Sequence, residues 1–92
     1  MGNARPKPKR LAEKLRQIRE TLGLSQTEML RSLGLEEEMK YARISEYETG
    51  QREPSLLTLL AYSRLAGIHM EVLADDEADL PNMLSAKAKR KS

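Results

Sequence analysis

Four glycines divide most of the chain into short stretches, and each stands just after apolar residues at helical spacing. Gly23 follows Leu11, Leu15, Ile18 and Leu22, which recur every three or four residues. Gly34, Gly50 and Gly67 follow apolar positions within residues 29–33, 44–47 and 56–65. Helices commonly end in a residue with a left-handed backbone, which glycine adopts most easily. This spacing therefore predicts a series of short helices.

Two serines mark helix starts within that series. Ser25 is followed three residues later by Glu28, the capping-box pattern in which each side chain accepts a hydrogen bond from the other residue's backbone amide. Ser55 follows Pro54, which cannot continue a preceding helix, and is a good N-cap for the next one. We therefore predict five helices, near residues 10–22, 26–33, 41–48, 56–66 and 69–74.

The composition requires an aliphatic core. The 92 residues include no Phe or Trp and only three Tyr, and Leu, Ile, Met and Ala suit helices better than strands. In the fourth helix we expect the core residues to be Leu56, Leu59, Leu60, Tyr62 and Leu65. A chain of this length folds around a single core. We predict an all-α domain over residues 9–76, between a flexible basic arm (1–8) and an acidic-then-basic tail (77–92).

Several classes of function lack the residues that they need. Cysteine is absent, which excludes disulfides, thiolate metal sites and cysteine nucleophiles. The single histidine, His69, forms neither a metal site nor a catalytic triad alone. No apolar run approaches the roughly 18 residues of a membrane span, and no apolar segment follows the basic N-terminus as in a secretory signal. We expect a cytoplasmic, non-enzymatic protein with no metal, cofactor or membrane partner.

Charge is distributed unevenly along the chain. Residues 5–19 contain seven Lys or Arg and one Glu, and residues 87–91 add four basic residues. Acidic residues gather at positions 36–38 and 71–79. Such asymmetry indicates a polyanionic partner or, equally well for each tail taken alone, a solvated terminal segment.

Four stretches resemble one known family when their order and spacing are taken together. They read R-E-T-L-G-L-S-Q at 19–26, M-L-R-S-L-G-L at 29–35, I-S-E-Y-E-T-G-Q-R-E-P at 44–54 and S-L-L-T-L-L-A-Y-S-R-L-A-G-I at 55–68. This pattern is similar to the five-helix DNA-binding domain of the phage repressor and Cro group, often called the XRE family. The resemblance implies a compact five-helix bundle of the lambda-repressor-like type, with helices 2 and 3 forming a helix-turn-helix.

The chain departs from the family pattern at two places. Ten residues separate Gly34 from Ile44 when Ile44 is counted in, roughly four more than the family places in its helix-turn-helix. Leu30 also occupies a position where the family tends to have alanine, because the two helices pack closely. One explanation is that a longer connection lets helix 3 move away while Leu30 fills the gap. The alternative is that the extra residues add one turn to the start of helix 3.

The resemblance implies which residues contact DNA, since the second helix of such a motif enters the major groove. Arg43 is the first candidate, for guanine O6 and N7. Ala42 or the Tyr41 ring is expected against a thymine methyl group, and Glu46 is expected to accept from cytosine N4. The expected phosphate-contacting residues are Lys9, Arg10, Gln26, Gln51 and Arg52.

Two of these assignments have a plainer alternative. Gln26 is otherwise an exposed residue in a first helical turn, and Arg52 is otherwise paired with Glu48 or Glu53. Three acids at positions 36–38 would repel phosphate, although acids in the first turn of a helix also stabilise its dipole.

The function implied is sequence-specific binding of double-stranded DNA by a transcriptional regulator, with repression the expected direction. A module this small reads few base pairs, so we expect a homodimer on a pseudo-palindromic site. The alternative is a protein-interaction module, such as the antitoxin of a toxin–antitoxin pair, in which residues 75–92 bind the partner.

Overall fold

Residues 9–81 are described by the structure, a computed structural model. They form five helices: α1 (Leu11–Leu22), α2 (Gln26–Ser32), α3 (Ala42–Glu48), α4 (Leu56–Ala66) and α5 (Met70–Ala74). The described residues contain no strand, which confirms the all-α prediction and its five helices. The predicted basic arm (1–8) and the last part of the predicted tail (82–92) lie outside the described residues.

Both ends of α2 form as the sequence predicts. Ser25 Oγ accepts from the Glu28 amide at 3.1 Å, and Glu28 Oε1 accepts from the Ser25 amide at 2.8 Å, which completes the capping box. At the other end of α2, Gly34 adopts a φ of 75°. Its N–H donates to the Arg31 carbonyl, and the Leu35 N–H donates to the Leu30 carbonyl at 3.1 Å. These two bonds satisfy carbonyls that the end of the helix would otherwise leave unpaired.

Every helix contributes to one core. The buried apolar side chains are Leu11, Leu15, Ile18, Met29, Leu30, Leu33, Ile44, Tyr47, Tyr62, Ala66 and Leu73. None of the helices within residues 9–81 combines the length and the hydropathy that crossing a bilayer requires.

The prediction that Leu56 belongs to the core is wrong. Its side chain is 70% exposed, and that of Leu57 is 76% exposed. The buried face of α4 instead runs through Thr58, Tyr62 and Ala66, which lie four residues apart along one side of the helix. Leu56 precedes Thr58 by two residues, a rotation of about 200° around an α-helix, and therefore points away from the core.

The extra residues of the helix-turn-helix lie in the connection and do not lengthen α3. Leu35 accepts backbone hydrogen bonds from Glu38 and Met39 at 3.0 and 3.1 Å, so residues 35–39 close one separate turn. Leu35 and Met39 pack against the core, and Tyr47 Oη donates to Met39 Sδ at 3.8 Å. We call residues 35–40 the inserted turn.

The acids of the inserted turn do not stabilise the dipole of α3. Residues 36–38 are exposed and lie before its start, and the first turn of α3 contains no acidic residue. The helix-dipole interpretation of these three glutamates is therefore wrong.

The segment after α5 folds back onto α1. The buried Lys14 Nζ donates to the carbonyls of Val72 and Asp75, both at 2.7 Å, near the end of α5 where a positive charge is favourable. The Asp76 carboxylate accepts from the amides of Lys9 and Arg10 at 2.9 Å, which caps the start of α1. Leu80 packs against the core, so the packed chain extends past residue 76.

Candidate nucleic-acid interface

Helix α3 is held from behind by apolar packing and by an ion pair. Ile44 and Tyr47 lie in the core. Arg19 donates from Nε and Nη2 to the two carboxylate oxygens of the buried Glu48, at 2.7 and 3.1 Å, and from Nη1 to the Leu24 carbonyl at 2.9 Å. Such a forked pair fixes orientation as well as distance. It therefore holds α3 against α1 in a single orientation.

The Arg19–Glu48 pair was not predicted from the sequence. The two residues are 29 positions apart, and no local pattern joins them. The hydrogen bonds that Arg19 donates to Glu48 raise the pKa of Arg19 above its ordinary value, so the guanidinium stays charged under all ordinary conditions.

The four predicted base-contacting residues lie on or beside the outward side of α3. Tyr41, the residue before the first turn, is 57% exposed, and Ala42 is exposed. The side chains of Arg43 and Glu46 are each more than one third exposed. Because Ile44, Tyr47 and Glu48 fix α3 against the rest of the domain, the backbone that carries these outward residues is held in place.

Two of these residues, Arg43 and Glu46, contact one another, and Glu46 has a second partner. Glu46 Oε1 lies 3.3 Å from Arg43 Nε and accepts a hydrogen bond from Arg52 Nε at 2.8 Å. The sequence suggested Glu48 or Glu53 as the partner of Arg52, but the structure pairs its Nε with Glu46, while Glu48 is held by Arg19. We call Arg43, Glu46 and Arg52 the Glu46 cluster.

Backbone bonds also tie Arg52 to α3. The amides of Gln51 and Arg52 both donate to the Glu46 carbonyl, at 2.9 and 3.2 Å. This connection brings the exposed Gln51 and Arg52 directly beside the outward side of α3. Lys9 and Arg52 line one cleft together with Gly50, so these two predicted phosphate contacts are neighbours in space. Gln26, the first residue of α2, is half-buried.

Arg10 is directed elsewhere. Its Nη1 donates to the Asp76 carbonyl and its Nη2 to Asp79 Oδ1, both at 2.7 Å, and the bond that it donates to Asp79 raises the pKa of Arg10. It lines a different cleft, with Thr21 and Pro81. The structure thus brings Lys9 close to Arg52 and turns Arg10 toward the C-terminal segment.

The inserted turn adds residues to this surface that sequence reasoning did not name. A cleft beside the start of α3 is lined by Glu38, Met39, Lys40, Ala42, Arg43 and Glu46. Lys40 is exposed and immediately precedes Tyr41, so its proximity to the predicted base-contacting residues could have been inferred from the sequence. The surface around Arg43 therefore carries charges of both signs.

Comparison with known proteins gives one match. A family model described as Helix-turn-helix matches residues 15–73, more than half of the chain, and that segment runs from within α1 to within α5. No curated protein and no solved structure gave a significant match. Within residues 9–81 no group of His, Asp or Glu is placed to hold a metal ion. The chain therefore belongs to the XRE and phage repressor-like helix-turn-helix family, whose members are DNA-binding regulators of transcription.

Proposed function

We propose that this protein binds double-stranded DNA sequence-specifically, with α3 in the major groove. The observation that carries the proposal is the two-sided character of α3. Its inner side is locked by Ile44, Tyr47 and the Arg19–Glu48 pair, and its outer side presents Arg43. The major groove is wide enough for a helix and displays a distinct donor and acceptor pattern for each base pair. A fixed helix with an outward guanidinium is suited to reading it.

Arg43 is the residue that we expect to read a base. A bidentate contact from an arginine to guanine O6 and N7 discriminates against a wrong base by about 1–3 kcal/mol. Ala42 and Tyr41 flank it with apolar surface suited to a thymine methyl group.

Phosphate contacts would orient the domain on the duplex. Arg52 and Lys9 line one cleft beside the outward side of α3, and Gln51 is exposed next to them. Gln26 begins α2, where amides and the helix dipole favour an anion. Arg10 would have to give up its bonds to Asp76 and Asp79 before it could join them.

We further propose that two copies bind a pseudo-palindromic site. An α3 of seven residues reaches only a few base pairs, and two-fold pairing doubles the sequence that is read. Within this proposal the protein acts in the cytoplasm as a repressor, because a bound copy that occupies a promoter blocks it.

The alternative of a protein-interaction module gains no support from the described part of the proposed binding segment. Asp76 caps α1, Asp79 pairs with Arg10, and Leu80 packs against the core. These residues are therefore engaged within the domain. Residues 82–92, the remainder of that segment, lie outside the described residues.

Titration against random-sequence duplex DNA at several salt concentrations tests the proposal. The logarithm of the affinity should fall steeply and linearly with the logarithm of the salt concentration, because phosphate contacts release counterions. Arg52→Ala should weaken binding to all sequences alike and reduce the slope by about one. Arg16→Ala is a matched control, since Arg16 is an exposed arginine paired with Glu20 on α1. A wild-type protein without measurable affinity at low salt would contradict the proposal.

A further inference from the structure

The Glu46 cluster places one carboxylate between two arginines of the proposed DNA-binding surface. We propose that Glu46 is a positioning residue that holds Arg43 and Arg52 and lowers the affinity for non-specific DNA, and that it does not itself read a base. This inference rests on the proposed function and replaces the cytosine contact expected from the sequence.

The geometry favours a holding role. Both arginines approach Glu46 Oε1 through Nε, at 3.3 and 2.8 Å. Nε is the guanidinium nitrogen nearest the main chain, so the outer edge with the two Nη groups remains the part that extends farthest. That edge can form the fork that a guanine or a phosphate accepts. The carboxylate thus restricts each side chain without covering the end that would contact DNA.

A base contact by Glu46 would disrupt this arrangement. If the carboxylate turned toward the groove to accept from cytosine N4, Arg43 and Arg52 would both lose their contact with Oε1 just as the DNA surface requires them in place. The backbone carbonyl of Glu46 also accepts from the amides of Gln51 and Arg52, which ties the segment that carries Arg52 to this one residue.

The charge balance of the cluster favours discrimination. Two guanidiniums and one carboxylate sum to one positive charge, whereas the same cluster with glutamine at position 46 would have two. Non-specific binding depends almost entirely on attraction to phosphate, whereas specific binding adds contacts to base edges. The charge of the carboxylate weakens the phosphate attraction for every duplex alike, but at the preferred site the carboxylate also holds Arg43 for its base contact. The net effect of the carboxylate therefore weakens binding to random DNA more than binding to the preferred site.

The test compares Glu46→Gln with Glu20→Gln. Glu20 is a matched control, because it accepts from Arg16 Nε at 3.0 Å on the exposed side of α1 and because its replacement by glutamine removes the same charge. For Glu46→Gln we expect affinity for random duplex to rise about 3- to 10-fold and the salt slope to steepen. The ratio of specific to random affinity should fall by a similar factor, while Glu20→Gln changes each quantity less than about twofold. Circular dichroism verifies that both variants are folded.

Two results would overturn the inference while leaving DNA binding intact. The first is a variant with unchanged affinity for random duplex that loses its preference at one base pair, since this is the behaviour of a base reader. The second is a variant with unchanged affinities for both kinds of DNA. A wild-type protein that binds no duplex at all would instead overturn the proposed function together with this inference.

Arginine Nε–Hε NMR signals provide a readout that needs no DNA. In the free wild-type protein, the Nε–H proton of Arg52, which donates to Glu46 Oε1, should exchange slowly with water, and in Glu46→Gln its exchange should accelerate. The Nε–H signal of Arg43, whose Nε lies 3.3 Å from the same oxygen, should shift. Equal exchange in the two proteins would contradict the holding role itself. The control Glu20→Gln should leave both signals unchanged.

Discussion

Replacing Leu30 by alanine tests how the longer connection is accommodated. Leu30 is 5% exposed and lies in the core. It also supplies the carbonyl to which the Leu35 amide returns at 3.1 Å, and Leu35 packs against the same core. The side chain therefore fills space where α2 meets the inserted turn.

The expected cost follows from the atoms removed. Leucine to alanine removes three carbons, worth about 0.8 kcal/mol each when buried, or roughly 2.4 kcal/mol. The cavity left behind adds to this, and comparable changes span about 2–5 kcal/mol. We expect Leu30→Ala to lower the free energy of unfolding by about 3 kcal/mol. For a domain of this size, Tm should fall by roughly 12–24 °C.

Urea and thermal unfolding followed by circular dichroism measure this loss. Leu57→Ala removes the same atoms from a side chain that is 76% exposed, and should cost less than about 0.5 kcal/mol. If Leu30→Ala matched this control or gained stability, Leu30 would be overpacked against α3, as the family's preference for alanine implies. The idea that Leu30 fills a widened space would then be refuted.

Three further predictions concern charged and polar groups. The backbone amides at the start of α1 lower the pKa of Asp76, so its contribution to stability is present above the ordinary carboxyl pKa and is lost as pH falls through the lowered value. In wild type the urea midpoint should therefore fall as the pH is lowered, and in Asp76→Asn it should fall less. The same fall in both proteins would contradict this prediction. Burial raises the pKa of Tyr62, whose Oη has no hydrogen-bond partner within residues 9–81. Because Tyr62→Phe removes this unsatisfied polar group, thermal melts should show unchanged stability or a gain of up to about 1 kcal/mol. Arg19→Met should lower the free energy of unfolding by about 3–5 kcal/mol, because it leaves the buried Glu48 unpaired, and adding Glu48→Met should recover much of this loss. A double-mutant cycle measured in urea that shows no coupling would contradict the stabilising role of the Arg19–Glu48 pair.

The parts of the fold that were predictable depend on neighbours in sequence. Ser25 and Glu28 act within one turn, and α2 ends where the amides of Gly34 and Leu35 donate to carbonyls three and five positions before them. Such signals need no knowledge of the rest of the molecule. They locate the helices, and with them the helix-turn-helix.

The parts that were missed depend on contacts between distant residues. Arg19 meets Glu48 only because α1 and α3 pack together, and Lys14 is buried only because the end of α5 lies over it. Apolar character alone placed Leu56 in the core, but the packing of α4 against its neighbours decides which side is buried. The same limit applied to Glu46: its partner Arg43 lies three residues before it on α3, but its partner Arg52 became apparent only from the path of the chain after α3.

The central claim is that α3 reads base edges, led by Arg43. Selection of bound sequences from a randomised duplex pool, with wild type and Arg43→Ala in parallel, tests it most directly. Wild type should select a two-fold symmetric motif with a guanine in each half, and Arg43→Ala should lose the preference at that base pair while keeping the others. If Arg43→Ala selected the same motif with the same strength at every position, the assignment of α3 as the reading helix led by Arg43 would be contradicted.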